Sequence, residues 1–539
     1  MSKSFEHHAR VVGALTLISR VTGFAREAIF SRVFGLGPIM DAFSFAFMMP
    51  NLFRRLFGEG ALSAAFLPRF AKLDREDPES ARRFGALMLA VSGGIFFAVL
   101  AVVELILVVL WWNAPEYAVD FHPPLHVGGA LIPSLSVQSA ALGYLLAMLM
   151  MPYMPLVCLV ALSGAVLQSK DRFVVTAAAP IILNIAFVVA ALAGIPFLGD
   201  EAGHRAHILL VAVSVLGAGV LQVLWTFGAL RKVGLILDHR DPIAWMHVKK
   251  TLAESLPVMF GVGVLQLNTF VDGLIASWPT LMGPTIFGFQ YPLQAGAMAA
   301  FAGAQRLYEF PLAVFGISIA TAMFPALARS SSQPEAFASI VRSGIERAWF
   351  VGLPASVGLF LVAEPACGVA FQGSEFTYDD TLRVAAILRG FAIAIWSYSI
   401  VHIAARAFYA LDDRQTPLRV ALGMLVLNVA LNLTLIFSSL REAGLAYSTA
   451  ICSVVQCVVL LALLRRRVPG LIPPSLFVVL LKPAVATLGM ALCVIAVGSF
   501  LPSGTDWNSL LLRFIGASGA GVVSYCAAAA LLRARPKSI

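Results

Sequence analysis

Charge is scarce in this 539-residue sequence: Asp, Glu, Lys and Arg make up 12% of it, against 59% hydrophobic residues, and the mean hydropathy is +0.87. Soluble domains carry about a quarter charged residues, so the deficit excludes an ordinary cytosolic fold. Cysteine is scarce too. Cys158, Cys367, Cys452, Cys457, Cys493 and Cys526 lie in or beside apolar segments, with no C-x-x-C and no Cys/His cluster at zinc spacing. They read as small core residues, and no metal is expected. No G-x-x-x-x-G-K-[ST] loop is present, which excludes nucleotide hydrolysis by that route. No A-x-A site follows a short apolar core, so MSKSFEHHARVVG is expected to lead straight into the first long helix. The net charge of +9 is scattered through short loops rather than gathered in one basic patch. Topology therefore explains it better than a nucleic-acid partner.

What the sequence has is long apolar runs, such as FGALMLAVSGGIFFAVLAVVELILVVLWW from Phe84. Barrel strands would alternate over about ten residues, so the expected fold is an all-α polytopic membrane protein. Apolar spans and their breakers give about fourteen transmembrane helices. They fall near 10–34, 39–71, 84–112, 138–168, 174–197, 207–230, 251–277, 294–328, 345–371, 382–411, 417–438, 442–464, 475–501 and 509–532. With a cytoplasmic N-terminus, Lys and Arg fall in the inner loops, including 69–84, 231–250, 412–419 and 465–467, while the outer loops 113–129, 279–292 and 502–508 have none. Both termini are thus expected in the cytoplasm.

The sequence also repeats. FMMPNLFRRLFGEGALSAAFLPRFAKL (47–73) recurs as GAQRLYEFPLAVFGISIATAMFPALAR (303–329), and GAVLQSKDRFVVTAAAPIILN (164–184) echoes RAFYALDDRQTPLRVALGMLVLN (406–428). Two pseudo-symmetric six-helix lobes are expected, 1–231 and 232–467, followed by two extra helices in 468–539. An even number of spans per copy makes the repeats parallel, the plan of alternating-access transporters.

The chain is organised around 19–60, a membrane-length hairpin that nonetheless carries Arg20, Arg26, Arg32, Asp41, Arg54, Arg55 and Glu59. Each arginine at bilayer depth costs roughly 3 kcal/mol on insertion scales, a cost normally met by facing a water-filled interior. Arg32 and Arg55 are equally well placed to snorkel to headgroups. A pocket shared by Arg20, Arg26 and Arg54 would suit a phosphate or pyrophosphate, whose oxygens match guanidinium forks. Arg306 and Glu309 are three apart on one helical face, so Glu309 is either a structural partner that neutralises Arg306 or a bystander. Asp272 is a candidate cation or proton site, and Gln266 and Asn268 on the same helix could serve as interhelical hydrogen-bond glue. His402 and Arg406 could line a lobe. Asp120, His122 and His126 could touch a metal or simply sit in a solvated loop. Gly261 and Gly263 suggest close helix packing or a hinge, since neither a strand nor a helix start flanks them.

The run SRVTGFAREAIFSRVFGLGPIMDAFSFAFMMPNLFRRLFGEGALSAAFLPRFAKL resembles the first two helices of the MurJ/MviN family, within the multidrug/oligosaccharidyl-lipid/polysaccharide exporter superfamily. Residues 151–185, 302–329 and 406–422 carry the resemblance further. It implies a flippase moving lipid II, the undecaprenyl-pyrophosphate-linked peptidoglycan precursor, from the inner to the outer leaflet of the bacterial inner membrane. Essential cavity arginines of that family fall by motif on Arg20, Arg26, Arg54 and Arg306, with Asp41 and Glu59 as accompanying acidic positions. The resemblance also implies a lipid-tail groove made by the last two helices, and a sodium site on some members that would use Asp272. The family commonly has an acidic residue where this chain has Gln305. No cofactor is expected, although a monovalent cation or the membrane potential could drive the cycle. Expected partners are lipid II and membrane lipids, with neither nucleic acid nor nucleotide. An exporter of another polyprenyl-linked glycan or of drugs is the alternative on the same fold. An integral-membrane enzyme would want carboxylates or histidines clustered on an aqueous loop, and the acidic stretch DREDPES (74–80) reads instead as a solvated linker.

Overall fold

The computed structural model of the protein describes residues 3–58, 61–114, 126–127, 130–131, 139–197 and 201–534. Packing divides the chain into two units, Met1–Met298 and Ala299–Ile539. The first contains α1 (Lys3–Phe34), α2 (Pro38–Phe53), α3 (Ala61–Glu76), α4 (Pro78–Trp112), α5 (Ser139–Met150), α6 (Tyr153–Ser169), α7 (Phe173–Ala193), α8 (Glu201–Arg231) and α9 (Pro242–Leu281). The second contains α10 (Ala297–Pro311, which begins at the boundary), α11 (Ser318–Arg329), α12 (Pro334–Leu361), α13 (Ala363–Phe371), α14 (Tyr378–Ile393), α15 (Ile395–Ala410), α16 (Gln415–Leu435), α17 (Ala443–Arg467), α18 (Pro474–Phe500) and α19 (Trp507–Leu531).

Among the described residues nine helical stretches are long and apolar enough to cross a membrane, or eleven when the bent pairs α12–α13 (70°) and α14–α15 (41°) each count as one span. Outside that count stand α1, the interrupted α2–α3 pair and α9, the helices that carry Arg20, Arg26, Arg54 and Asp272. Each of the expected spans falls on one of these helices or helix pairs, so the structure is consistent with fourteen. The protein is a multi-pass membrane protein. Large apolar side chains such as Leu105 and Val109 on α4 or Phe477 and Leu488 on α18 lie exposed, as surfaces wetted by lipid do. Helix starts are set by their sequences: Pro78 and Pro242 stand at first-turn positions, and the carboxylates of Asp77 and Asp241 accept from the amides that those turns leave open.

The repeated stretches share their local geometry. Asp171 and Asp412 both take the left-handed conformation, with φ of 56° and 58°. In both turns the next amide reaches back to a helix carbonyl, Arg172 to Leu167 at 2.9 Å and Asp413 to Phe408 at 3.0 Å. Each is also held by an ion pair, of opposite polarity in the two: Lys170 of the first turn meets Asp74 at 2.6 Å, and Asp413 of the second meets Arg467 at the end of α17 at 2.8 Å. The other pair of stretches shares a π-helical segment, Arg54–Gly58 and Leu312–Ile317, shortly after Pro50 and Pro311. A proline cannot supply the amide of a regular ladder, and the widened turn absorbs the mismatch.

Packing places α9 in the first unit, whereas the sequence repeat assigns it to the second copy. The reason is specific pairing: Glu254 grips Arg69 of α3 through both oxygens at 2.8 Å, and the sulfur of Met48 on α2 fills the space that a side chain at Gly273 would need. Beyond α9, Thr285–Ile286 and Phe289–Gln290 form a two-residue antiparallel hairpin in which Thr285 pairs with Gln290. Its turn residues Phe287 and Gly288 both have positive φ, as a type I′ turn requires.

In the second unit an apolar core formed by α11, α12, α15 and α17 includes Met323, Phe337, Ile403, Phe408 and Leu460. The terminal pair α18–α19 docks on α12–α13: Arg513 meets Glu364 at 2.7 Å, and the indole of Trp507 donates to the Val369 carbonyl at 3.2 Å. Four cysteines are buried, but Cys493 and Cys526 are exposed, because they sit on outward faces of these terminal helices rather than in a core.

Candidate functional site

Among the candidate arginines, Arg26 is the buried one. It is only 8% exposed, in the seam between α1 and α7. Its Nη1 donates to Oδ1 of Asn184 at 3.1 Å and its Nη2 to Glu27 at 3.0 Å. The guanidinium carbon lies 4.9 Å from the centre of the Phe187 ring and 5.7 Å from that of Phe47. Asn184 is itself fixed, donating to the Ser19 carbonyl and to the Thr22 hydroxyl, each at 3.1 Å. A buried guanidinium held by a carboxylate, an amide and two ring faces keeps one orientation.

Arg54 opens the π segment. Its Nε donates to Asn51 at 3.3 Å, and Asn51 donates to the Phe47 carbonyl at 3.0 Å. Phe47 therefore joins the two arginines, with its ring against Arg26 and its carbonyl at the head of the chain that orients Arg54. Arg20 is not part of this group. It is exposed, because six residues of α-helix turn a side chain through about 600°, which puts Arg20 and Arg26 about 120° apart around α1. Arg32 and Arg55 are half-buried.

The acidic candidates lie elsewhere. Asp41 is fully buried, accepting from the Thr280 hydroxyl at 3.0 Å and the Gly296 amide at 2.7 Å. It ties the start of α2 to the end of α9 and the approach to α10. Asp272 is 3% exposed and accepts from Asn268 one turn earlier at 3.2 Å. Glu59, Asp120 and His122 lie outside the described residues, as does the side chain of His126. In the second unit Arg306 faces Glu309 at 3.6 Å with both side chains more than a third exposed. Tyr308, buried and stacked 5.1 Å from Phe391, holds that stretch of α10 in place. Arg406 donates to the Ile317 carbonyl at 3.1 Å, serving the last carbonyl of the π segment.

Asn184, Glu27, Phe47 and Phe187 were not among the sequence candidates. Asn184 closes the repeated stretch 164–184, but its partner Arg26 lies 158 positions away. Glu104 is another intramembrane carboxyl that sequence reading passed over. It lies on the largely lipid-exposed α4, with Oε1 buried and unbonded among the described residues.

Comparison with known proteins closes the assignment. The family model described as lipid II flippase MurJ matches residues 30–515. A probable lipid II flippase MurJ of Rhizobium tropici is 33% identical, the match covering 85% of this chain and 80% of that one. The Vibrio cholerae counterpart is 31% identical over 100% of this chain and 98% of its own. Among solved structures, a lipid II flippase MurJ in an inward closed conformation superposes with a TM-score of 0.73 at 20% identity, covering 96% of this chain and 98% of that one. An inward-facing multidrug resistance MATE family transporter of the MOP superfamily superposes at 0.59 and 14% identity, covering 86% and 98%. At such identities these two likenesses speak for the fold alone. With the family model spanning most of the sequence and relatives alike over nearly its full length, the chain belongs to the MurJ lipid II flippase family.

Proposed function

We infer that this chain flips lipid II from the cytoplasmic to the outer leaflet of the inner membrane, by exposing an anion-binding surface alternately to the two sides. The observation that carries the reading, beyond family membership, is the oriented pair Arg26 and Arg54. Arg26 is held in a buried seam, and Arg54 projects from a widened helical turn. In this reading both meet the pyrophosphate, which competes with Glu27 for the Arg26 guanidinium. Arg20, exposed on another face of α1, supplies a further cation for capture, and Arg306 of the second unit, 3.6 Å from Glu309, has its own part in cargo handling. Asp41 then acts as a structural tie between elements, and the polyprenyl tail follows the bilayer along α18–α19. Transport makes and breaks no covalent bond, so the chain works as a transporter and not as an enzyme.

Both termini face the cytoplasm in this reading, and the repeated turns at Asp171 and Asp412 support two six-helix copies followed by two extra helices. Energy comes from the membrane potential, worth about 2.3 kcal/mol per charge per 100 mV, or from a monovalent cation at Asp272 beside Asn268. The test makes this chain the only flippase in a bacterium and quantifies lipid II accessible to an externally added degrading toxin. Restored access supports the reading. A well-expressed chain that restores none sinks it, and other polyprenyl-linked glycans become the leading cargo.

A further inference from the structure

The segment that leads into α9 is built for a surface that is both oily and negatively charged. α9 has 40 residues, about 60 Å of helix at 1.5 Å per residue, whereas the hydrocarbon core of a bilayer is about 30 Å. One end must project past the core, and the polar end is the first three turns, where Arg240, Pro242, Trp245, Met246, Lys249 and Lys250 line an open cleft of about 950 Å³. Leu237, Ile243 and Met246 expose between 51% and 63% of their surface beside it. The indole of Trp245 is aimed by a hydrogen bond from Nε1 to the His239 carbonyl at 2.9 Å.

The local acids are engaged elsewhere. Asp241 caps α9 through the amides of Ile243 and Ala244 and faces Arg83 at 3.6 Å. Glu254, one turn beyond Lys250, is held by Arg69. Asp238 accepts from the Arg240 backbone amide at 2.9 Å. Among the described residues no carboxylate lies within ion-pairing distance of the Arg240, Lys249 or Lys250 side chains.

We propose that this cleft binds the headgroup of an anionic phospholipid, with Arg240, Lys249 and Lys250 on the phosphate and with Trp245, Ile243 and Met246 against the upper acyl chains. Charge complementarity selects the anion, and the adjoining exposed apolar side chains select a lipid over a soluble phosphate or an acidic protein. The site is separate from the arginines assigned to the cargo, and neither proposal depends on the other.

The test reconstitutes the full chain in phosphatidylcholine vesicles that contain a minor fraction of phosphatidylglycerol, with bromine on the acyl chains of one lipid or the other. Subtracting the signal of Trp245→Phe isolates Trp245 fluorescence. Brominated phosphatidylglycerol should quench it severalfold more, per molecule, than brominated phosphatidylcholine. The R240Q/K249Q/K250Q variant should lose that preference, at about fivefold in lipid affinity per cation removed, while K249R/K250R keeps it. Helical circular dichroism and gel filtration confirm that each variant is folded. Equal quenching by the two lipids, a preference that survives the triple substitution, or a preference abolished by excess inorganic phosphate at constant ionic strength would each overturn the proposal.

Discussion

Replacing Arg26 with lysine tests most sharply whether the α1–α7 seam holds a shaped cation or merely a positive charge. The substitution keeps the charge and removes the fork. A single ammonium cannot reach Asn184 and Glu27 as Nη1 and Nη2 now do, at 3.1 and 3.0 Å. It is also more strongly hydrated, so it sits poorly against the Phe187 ring at 4.9 Å. Losing one charge-assisted hydrogen bond costs about 1.5–3 kcal/mol, and weakening a desolvated cation–π contact costs about 1 kcal/mol more. If the loss falls on cargo binding, flipping drops between about sixtyfold and seven-hundredfold at about 1.4 kcal/mol per decade. Asn184→Ala is the companion change, because it leaves the charge untouched while removing the acceptor. It should lower thermal stability in detergent by about 1–3 kcal/mol and reduce flipping. Toxin-accessible lipid II in cells and thermal unfolding of the purified variants measure both effects. Wild-type flipping by Arg26→Lys at normal stability would refute the claim that orientation, rather than charge, matters at this position.

Asp41→Ala should destabilise the protein by about 2–4 kcal/mol by orphaning the Gly296 amide and the Thr280 hydroxyl, whereas Asp41→Asn keeps an acceptor and most of the stability. Flipping lost by both variants at unchanged thermal stability would show that Asp41 meets cargo instead. Arg306→Ala should abolish flipping without altering expression. Glu309→Gln should change stability by less than about 1 kcal/mol, because their 3.6 Å pair is well exposed. Gly444→Ala should cost about 1–3 kcal/mol of thermal stability, since a side chain there would meet the Leu435 backbone at 2.8 Å. At Asp413, burial raises the pKa, but the Thr416 hydroxyl and amide and the Arg467 guanidinium outweigh it and hold the carboxyl below its usual 3.8. Its clamp therefore stabilises above the ordinary aspartate range and is lost as pH falls through and below that value. The difference in acid stability between wild type and Asp413→Asn should close there.

Much of this architecture is legible in the sequence because lipid imposes length. A run such as Phe84–Trp112 can be little other than a spanning helix, and each expected span meets a helix or bent pair. The π segments were not legible, since Pro50 and Pro311 announce a disturbed ladder but not which amides shift to which carbonyls. Packing of α9 with the first unit escaped for a related reason: pairs such as Arg69 with Glu254 lie 185 positions apart. Within the site, residue type pointed to arginines at bilayer depth, but the pocket expected to be shared by Arg20, Arg26 and Arg54 left helical phase out of account, and that phase turns Arg20 away from Arg26. The partners that give Arg26 its orientation, Asn184 and Phe187, come from a distant helix and carry no local signature. Asp41 stood as an accompanying acidic position only because the family resemblance implied it, and the structure occupies it with an amide and a hydroxyl.

The central claim is that oriented cations on α1 and on the π segment after α2 carry a lipid-linked pyrophosphate across the membrane. Its most direct measurement is externally accessible lipid II in a bacterium whose only flippase is this chain, intact or with Arg26 or Arg54 replaced by alanine. The account predicts full access with the intact chain and loss of access with either variant at equal expression. Access that survives loss of either arginine would contradict it.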